Sequence, residues 1–154
     1  MPVKLLDILS PECVRVPLLG TTKREVIDEL CELVASREGI CDLESLKRAI
    51  WEREDQRSTG IGEGLAIPHG KCASVTQLAM AIGQPTEPLE FGAEDGKPVR
   101  LVILLASPTD KIAENIQALG KISRVMTDPA VRERAYNAET ADELYQLFIE
   151  HVNN

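Results

Sequence analysis

One stretch of this sequence concentrates groups that could do chemistry. Ser58 to Lys71 reads STGIGEGLAIPHGK, with four glycines and a proline around His69, one of only two histidines in the chain. Pro68 lacks an N–H and fixes its own φ, so the imidazole is reached over a stiff segment. Gly70 follows and permits close approach by another molecule. Gly60, Gly62 and Gly64 permit positive φ and exposed N–H groups able to hold an anion. A neutral imidazole can accept a phosphoryl group on one ring nitrogen while the other keeps its proton, whose hydrogen bond fixes the tautomer. That transfer asks for in-line positioning and positive charge on the equatorial oxygens. Arg53 and Arg57 stand just upstream to supply the charge. The spacing fits no nucleotide template: there is no G-x-x-x-x-G-K-[ST], and Gly60-x-Gly62-x-Gly64 is not G-x-G-x-x-G. On residue types alone the plainer alternative stays open, a tight corner carrying a satisfied histidine.

The remaining reactive residues point elsewhere. His69 and Cys72 form an isolated H-x-x-C without a second ligand pair, and a zinc site needs about three or four protein ligands, so no metal is expected. Cys72 reads as a small filler beside the site. His151 reads as a helix-end cation in the last turn of the final helix. The four cysteines, Cys13, Cys31, Cys41 and Cys72, show no C-x-x-C spacing, and the N-terminus does not read as a signal peptide. Free thiols in a reducing cytoplasm are the expectation.

A net charge of -8 opposes a nucleic-acid backbone, and 3% aromatic residues leave little for base stacking. No apolar run approaches the ~20 residues that span a bilayer, so no membrane insertion is expected.

The elements that must position His69 follow from periodicity. Val14 and Val16 alternate with polar neighbours, as in a short strand. Thr21 and Thr22 open a helix carrying Val26, Ile27, Leu30, Leu33 and Val34 and ended by Gly39. A second helix runs from Asp42 to about Glu54, with Leu43, Leu46 and Ile50 inward and Arg53 at its end. Leu65 to Ile67 is a short apolar run into Pro68. Leu78 to Ile82 reads as a strand, and Val99 to Ala106 as a strand buried on both faces. The turn-rich Gly83 to Pro98 leaves room for a hairpin. A long helix follows with Ile112, Ile116, Leu119, Ile122, Val125 and Met126 in register. Asp128-Pro129 starts a short helix, and Thr140 with Glu143 forms a capping box for the last one. Interleaved strands and helices predict a single α/β domain over residues 1–154, a mixed sheet covered by helices.

Arg53 to Lys71 (REDQRSTGIGEGLAIPHGK) resembles the active-site segment of type-2 enzyme IIA domains of the bacterial phosphoenolpyruvate-dependent phosphotransferase system. Asp95 to Pro108 resembles that family's central strand, and Ile116 to Ser123 the helix after it. The resemblance implies the family's fold and a phosphoryl carrier. His69 would accept phosphate on Nε2 from the histidine-containing phosphocarrier protein, without a cofactor. Arg53 would be the active-site arginine and Glu63 an active-site glutamate placed to orient it. Asn115 stands where the family usually has a second histidine, and its amide can donate to a phosphoryl oxygen but cannot become cationic. The chain length favours the free-standing nitrogen-regulatory branch, with a regulated kinase or transporter as partner. The alternatives are a sugar-specific IIA component that passes phosphate to a IIB cysteine, and a degenerate domain that only binds.

Overall fold

The structure is a computed structural model that describes residues 3–37 and 42–152. In chain order its elements are α1 (Leu5–Ile8), β1 (Leu9–Leu18), α2 (Lys23–Ala35), α3 (Leu43–Gln56), β2 (Gly60–Gly62), β3 (Leu65–Ala66), β4 (His69–Lys71), β5 (Ala79–Pro85), β6 (Leu101–Ser107), α4 (Ile112–Val125), α5 (Pro129–Tyr136) and α6 (Ala141–Val152).

The aliphatic run of β6 is buried throughout and takes neighbours on both edges. β5 lies antiparallel on one side. Along the other side lie β3 and then β4, both parallel. β1 adds parallel to β5 and β2 antiparallel to β3, giving the order β1-β5-β6-β3-β2. The mixed α/β sheet expected from the sequence is therefore what the chain builds. The hairpin expected around Gly83 to Pro98 is the antiparallel β5–β6 pair itself. Gly83 to Pro85 end β5, and residues 86–100 make the wide connection to β6, narrowed by a bridge between Leu89 and Val99.

Side chains alternate across the sheet as a two-residue period requires. Leu101, Ile103 and Leu105 join Met80 and Ile82 in a core shared with α4, α5 and α6. Val102, Leu104 and Ala106 join Ala79 and Ala81 in a second core shared with α2 and α3. Burial on both faces explains the unbroken apolar run.

The helix starts carry their caps. Thr22 accepts from the Glu25 N–H, and the Glu25 carboxylate takes the Thr21 N–H in return. Asp42 caps α3 through the N–H groups of Glu44 and Ser45. Thr140 accepts from the Glu143 N–H, while the Glu143 carboxylate reaches back to the Glu139 N–H. α2 ends at Ala35, and Gly39 and Cys41 fall outside the described residues.

Two departures from the sequence reading shape the site. Ser58 to Lys71 is not an open loop, because β2 and β3 form a small hairpin and β4 continues along β6. The second departure is the rotation of α4. The expected apolar stripe would bury Ile112 and Ile116, yet these are 53% and 64% exposed, whereas Asn115, Ala118 and Ile122 are buried. Positions 115, 118 and 122 advance by three and four, as good a helical repeat as 112, 116 and 119. Packing selects the stripe with the smaller side chains.

Candidate functional site

His69 opens β4, paired in register with Leu105. The Pro68 carbonyl accepts from the Leu105 N–H at 2.9 Å, so proline's missing donor costs the ladder nothing here. Among the described residues β4 pairs with β6 and no other named strand, and His69 stands at its start. A cleft of about 290 Å³ lies there, lined by Arg53, Arg57, Ser58 to Ile61, Ile67, His69, Glu94, Leu119 and Ser123.

The imidazole Nδ1 lies 2.8 Å from the Ile67 carbonyl. A carbonyl oxygen only accepts, so Nδ1 carries the ring proton and the neutral ring keeps its lone pair on Nε2. Burial pushes the ring's pKa below its ordinary 6.5; Arg53 and Lys71 act in the same direction, and the Ile67 bond and Glu54 act against it. The ring is therefore neutral at pH 7. Because the folded-state value lies below the unfolded one, the unfolded chain binds the proton first on acidification. This group supports the fold above about pH 6.5 and loses that contribution as the pH falls through its folded-state value. An NMR titration of the His69 ring is expected to give a midpoint below 6.5; a midpoint above it would contradict this geometry.

Arg53 sits in the last turn of α3. Its Nη1 donates to the Arg57 carbonyl at 2.9 Å, and it makes no ion pair with a carboxylate among the described residues. Its charge is thus available to an anion in the cleft. Behind this wall lies a group the sequence reading missed. Glu54 is 4% exposed. Its carboxylate accepts from the Thr59 N–H at 2.8 Å and the Thr59 hydroxyl at 2.5 Å, and pairs with Lys23 Nζ at 2.9 Å. The signal was present: Leu46, Ile50 and Glu54 recur every fourth residue, which puts a carboxylate on the buried stripe.

Glu63 stands elsewhere. It occupies the hairpin turn with φ 56°, its N–H donating to Asp95 and its carbonyl accepting from the Tyr136 hydroxyl. Its exposed carboxylate lies 3.6 Å from Lys97 and is not part of the cleft wall. The expected orientation of Arg53 by Glu63 is therefore absent, and the Arg57 carbonyl holds Arg53 instead.

The glycines divide similarly. Only Gly60 lines the cleft. Gly62 and Gly64, at φ 101° and 86°, turn the hairpin. The close approach at Gly70 comes from the chain itself, since a Cβ there would lie 3.0 Å from the Ala49 backbone of α3.

Asn115 lies one helical turn before Leu119 and is 6% exposed, so it is no surface residue. It is not part of the cleft wall, and its buried Oδ1 has no hydrogen-bond partner among the described residues. Cys72 belongs to the core shared with α2 and α3, whereas His69 shares the cleft with α4 residues. The H-x-x-C pair thus points to opposite faces. His151 bonds its own helix, with Nδ1 2.8 Å from the Leu147 carbonyl. Cys13, Cys31 and Cys72 are free and buried, and burial pushes the Cys31 thiol up to about 12. No helix among the described residues is long and apolar enough to cross a membrane.

The chain as a whole is similar to known proteins. Residues 7–151 match the family described as phosphoenolpyruvate-dependent sugar phosphotransferase system, EIIA 2. The chain is 31% identical over 149 residues to the fructose-specific EIIABC component of Bacillus subtilis, covering 97% of this chain but only 24% of that protein's length. It is 31% identical over 153 residues to the nitrogen regulatory protein of Klebsiella oxytoca, covering 99% of this chain and 94% of that one. The crystal structure of nitrogen regulatory protein IIA-Ntr from Neisseria meningitidis superposes with a TM-score of 0.86 at 29% identity, over 93% of this chain and 97% of that one.

Proposed function

The chain belongs to the EIIA 2 family of the phosphoenolpyruvate-dependent sugar phosphotransferase system, and we propose that it is a phosphoryl carrier whose acceptor is His69 Nε2. One observation carries the reading. A neutral imidazole, its Nδ1 proton fixed on the Ile67 carbonyl, shares a cleft with a guanidinium that pairs with no carboxylate among the described residues.

The chemistry follows from these groups. The donor is the histidine-containing phosphocarrier protein. Its N–P bond breaks as the Nε2 lone pair of His69 forms the new one in line. Positive charge growing on the ring is met by the Nδ1–H bond to Ile67, and negative charge on the equatorial oxygens by Arg53. No proton leaves His69 during the step, and none of these groups calls for a cofactor.

Asn115 takes the position of the second histidine. Its Oδ1 receives no donor among the described residues, so no bond to that oxygen fixes the amide, whose N–H₂ would be the group that donates to a phosphoryl oxygen. A neutral donor holds a dianion less strongly than a charged one. Asn115→His is therefore expected to lengthen the phosphohistidine half-life roughly five- to tenfold where the new ring is protonated. Equal half-lives would remove Asn115 from the site.

Downstream, the main reading is a nitrogen-regulatory-type regulator. It is supported by the likeness to the nitrogen regulatory proteins of Klebsiella oxytoca and Neisseria meningitidis. The phosphoryl group adds about -1.5 to -2 of charge to the cleft, enough to repel a partner surface that tolerates neutral His69. The fructose-specific relative supports a second reading, transfer to a IIB cysteine. Radiolabelled phosphoprotein separates them. Capture of a kinase or ion transporter by one phosphorylation state only supports regulation, and label moving to a IIB cysteine supports transport. A cytoplasmic site of action accompanies either reading.

A further inference from the structure

The cleft holds a second arginine whose partner is a carboxylate in the same cleft. Arg57 caps the C-terminal end of α3, and its guanidinium pairs with Glu94. Both side chains are well exposed, at 72% and 60%, and both line the cleft of His69. The backbone around Glu94 is anchored: its N–H donates to the Gly60 carbonyl at 3.3 Å, and the Ser58 hydroxyl donates to the Phe91 carbonyl at 2.8 Å. The carboxylate is thus kept at the cleft while the long arginine side chain is free to turn.

We propose that Arg57 exchanges partners when His69 is phosphorylated, leaving Glu94 and binding the phosphoryl oxygens. The inference rests on the reading of His69 as the phosphoacceptor. An exposed carboxylate–arginine pair contributes little, because water and salt screen it. A phosphoryl dianion offers more charge and oxygens spaced for a bidentate guanidinium. The exchange also leaves Glu94 as an unpaired carboxylate beside the phosphoryl group. Glu94 therefore favours the free protein by pairing with Arg57 and disfavours the phosphorylated one by repulsion, and both effects shift the equilibrium away from phosphohistidine.

The test is the equilibrium of phosphoryl exchange with the phosphocarrier protein, together with the ³¹P shift of the phosphohistidine, in wild type, Arg57→Gln, Arg57→Lys and Glu94→Gln. Glu94→Gln is expected to move the equilibrium toward phosphorylated His69 about two- to fivefold, the range open to an exposed pair. Arg57→Gln should move it the opposite way by a similar factor and shift the ³¹P resonance, with partial recovery in Arg57→Lys. The effects should shrink with added salt. Phosphohistidine on wild type with equilibrium and resonance unchanged in Arg57→Gln and Glu94→Gln would overturn the exchange alone. No phosphohistidine on wild type would overturn the exchange and the phosphoacceptor reading together.

Discussion

Arg53→Gln is expected to slow phosphoryl transfer to His69 roughly 10²- to 10³-fold, the usual effect of removing one preorganised donor from developing charge. The cleft leaves few substitutes. Arg57 starts paired with Glu94 and is drawn to the phosphoryl oxygens only once they are on His69, and Lys71, although in the same strand as His69, is outside the cleft wall. The loss should fall on the transfer rate and little on folding, because the one hydrogen bond of the Arg53 side chain among the described residues is to the exposed Arg57 carbonyl. Arg53→Lys should recover part of the rate, since it keeps the charge and loses the planar fork. Rapid quenching of labelled transfer from the phosphocarrier protein measures this directly. A rate within threefold of wild type would mean that Arg53 merely closes the helix end.

The second large effect concerns stability. Glu54→Ala removes a buried carboxylate that satisfies two groups of Thr59 and pairs with Lys23. The Thr59 N–H would lose its acceptor at a residue only 3% exposed. An unsatisfied buried donor costs about 1–3 kcal/mol, and breaking a buried ion pair on one side up to about 3–5 kcal/mol. Lys23 is 26% exposed at its side chain and can turn outward, which limits the second contribution. A loss of about 2–4 kcal/mol is expected, lowering Tm by roughly 5–15 °C in a chain of this size. Lys23→Met should cost less, because Glu54 keeps both bonds from Thr59. A change in Glu54→Ala below about 0.5 kcal/mol by denaturant titration would show that water replaces the carboxylate readily.

Legibility in the sequence followed the length of each pattern. β6 announced itself because seven consecutive buried residues leave one architecture open, a central strand covered on both faces. The caps at Thr22, Asp42 and Thr140 were readable because a cap is a local interaction. The strands within Ser58 to Lys71 were not, since two- and three-residue strands carry no periodicity of their own and exist because β6 offers an edge. The inward turn of Asn115 was hidden because α4 carries two overlapping stripes, and the choice between them is made by the sheet. Glu54 could have been found from its spacing after Leu46 and Ile50. Its neighbour Arg53 drew the eye by charge, although a carboxylate on a buried stripe is the rarer event. The displacement of Glu63 from the cleft depended on contacts with Asp95, Lys97 and Tyr136, all more than thirty residues distant.

The most direct test of the phosphoacceptor reading is the intact mass of the protein after incubation with phosphoenolpyruvate, enzyme I and the phosphocarrier protein, with His69→Ala alongside. One acid-labile phosphoryl group on wild type and none on His69→Ala is the expected result. Wild type left unmodified by an active cognate phosphocarrier, or His69→Ala modified equally, would contradict it.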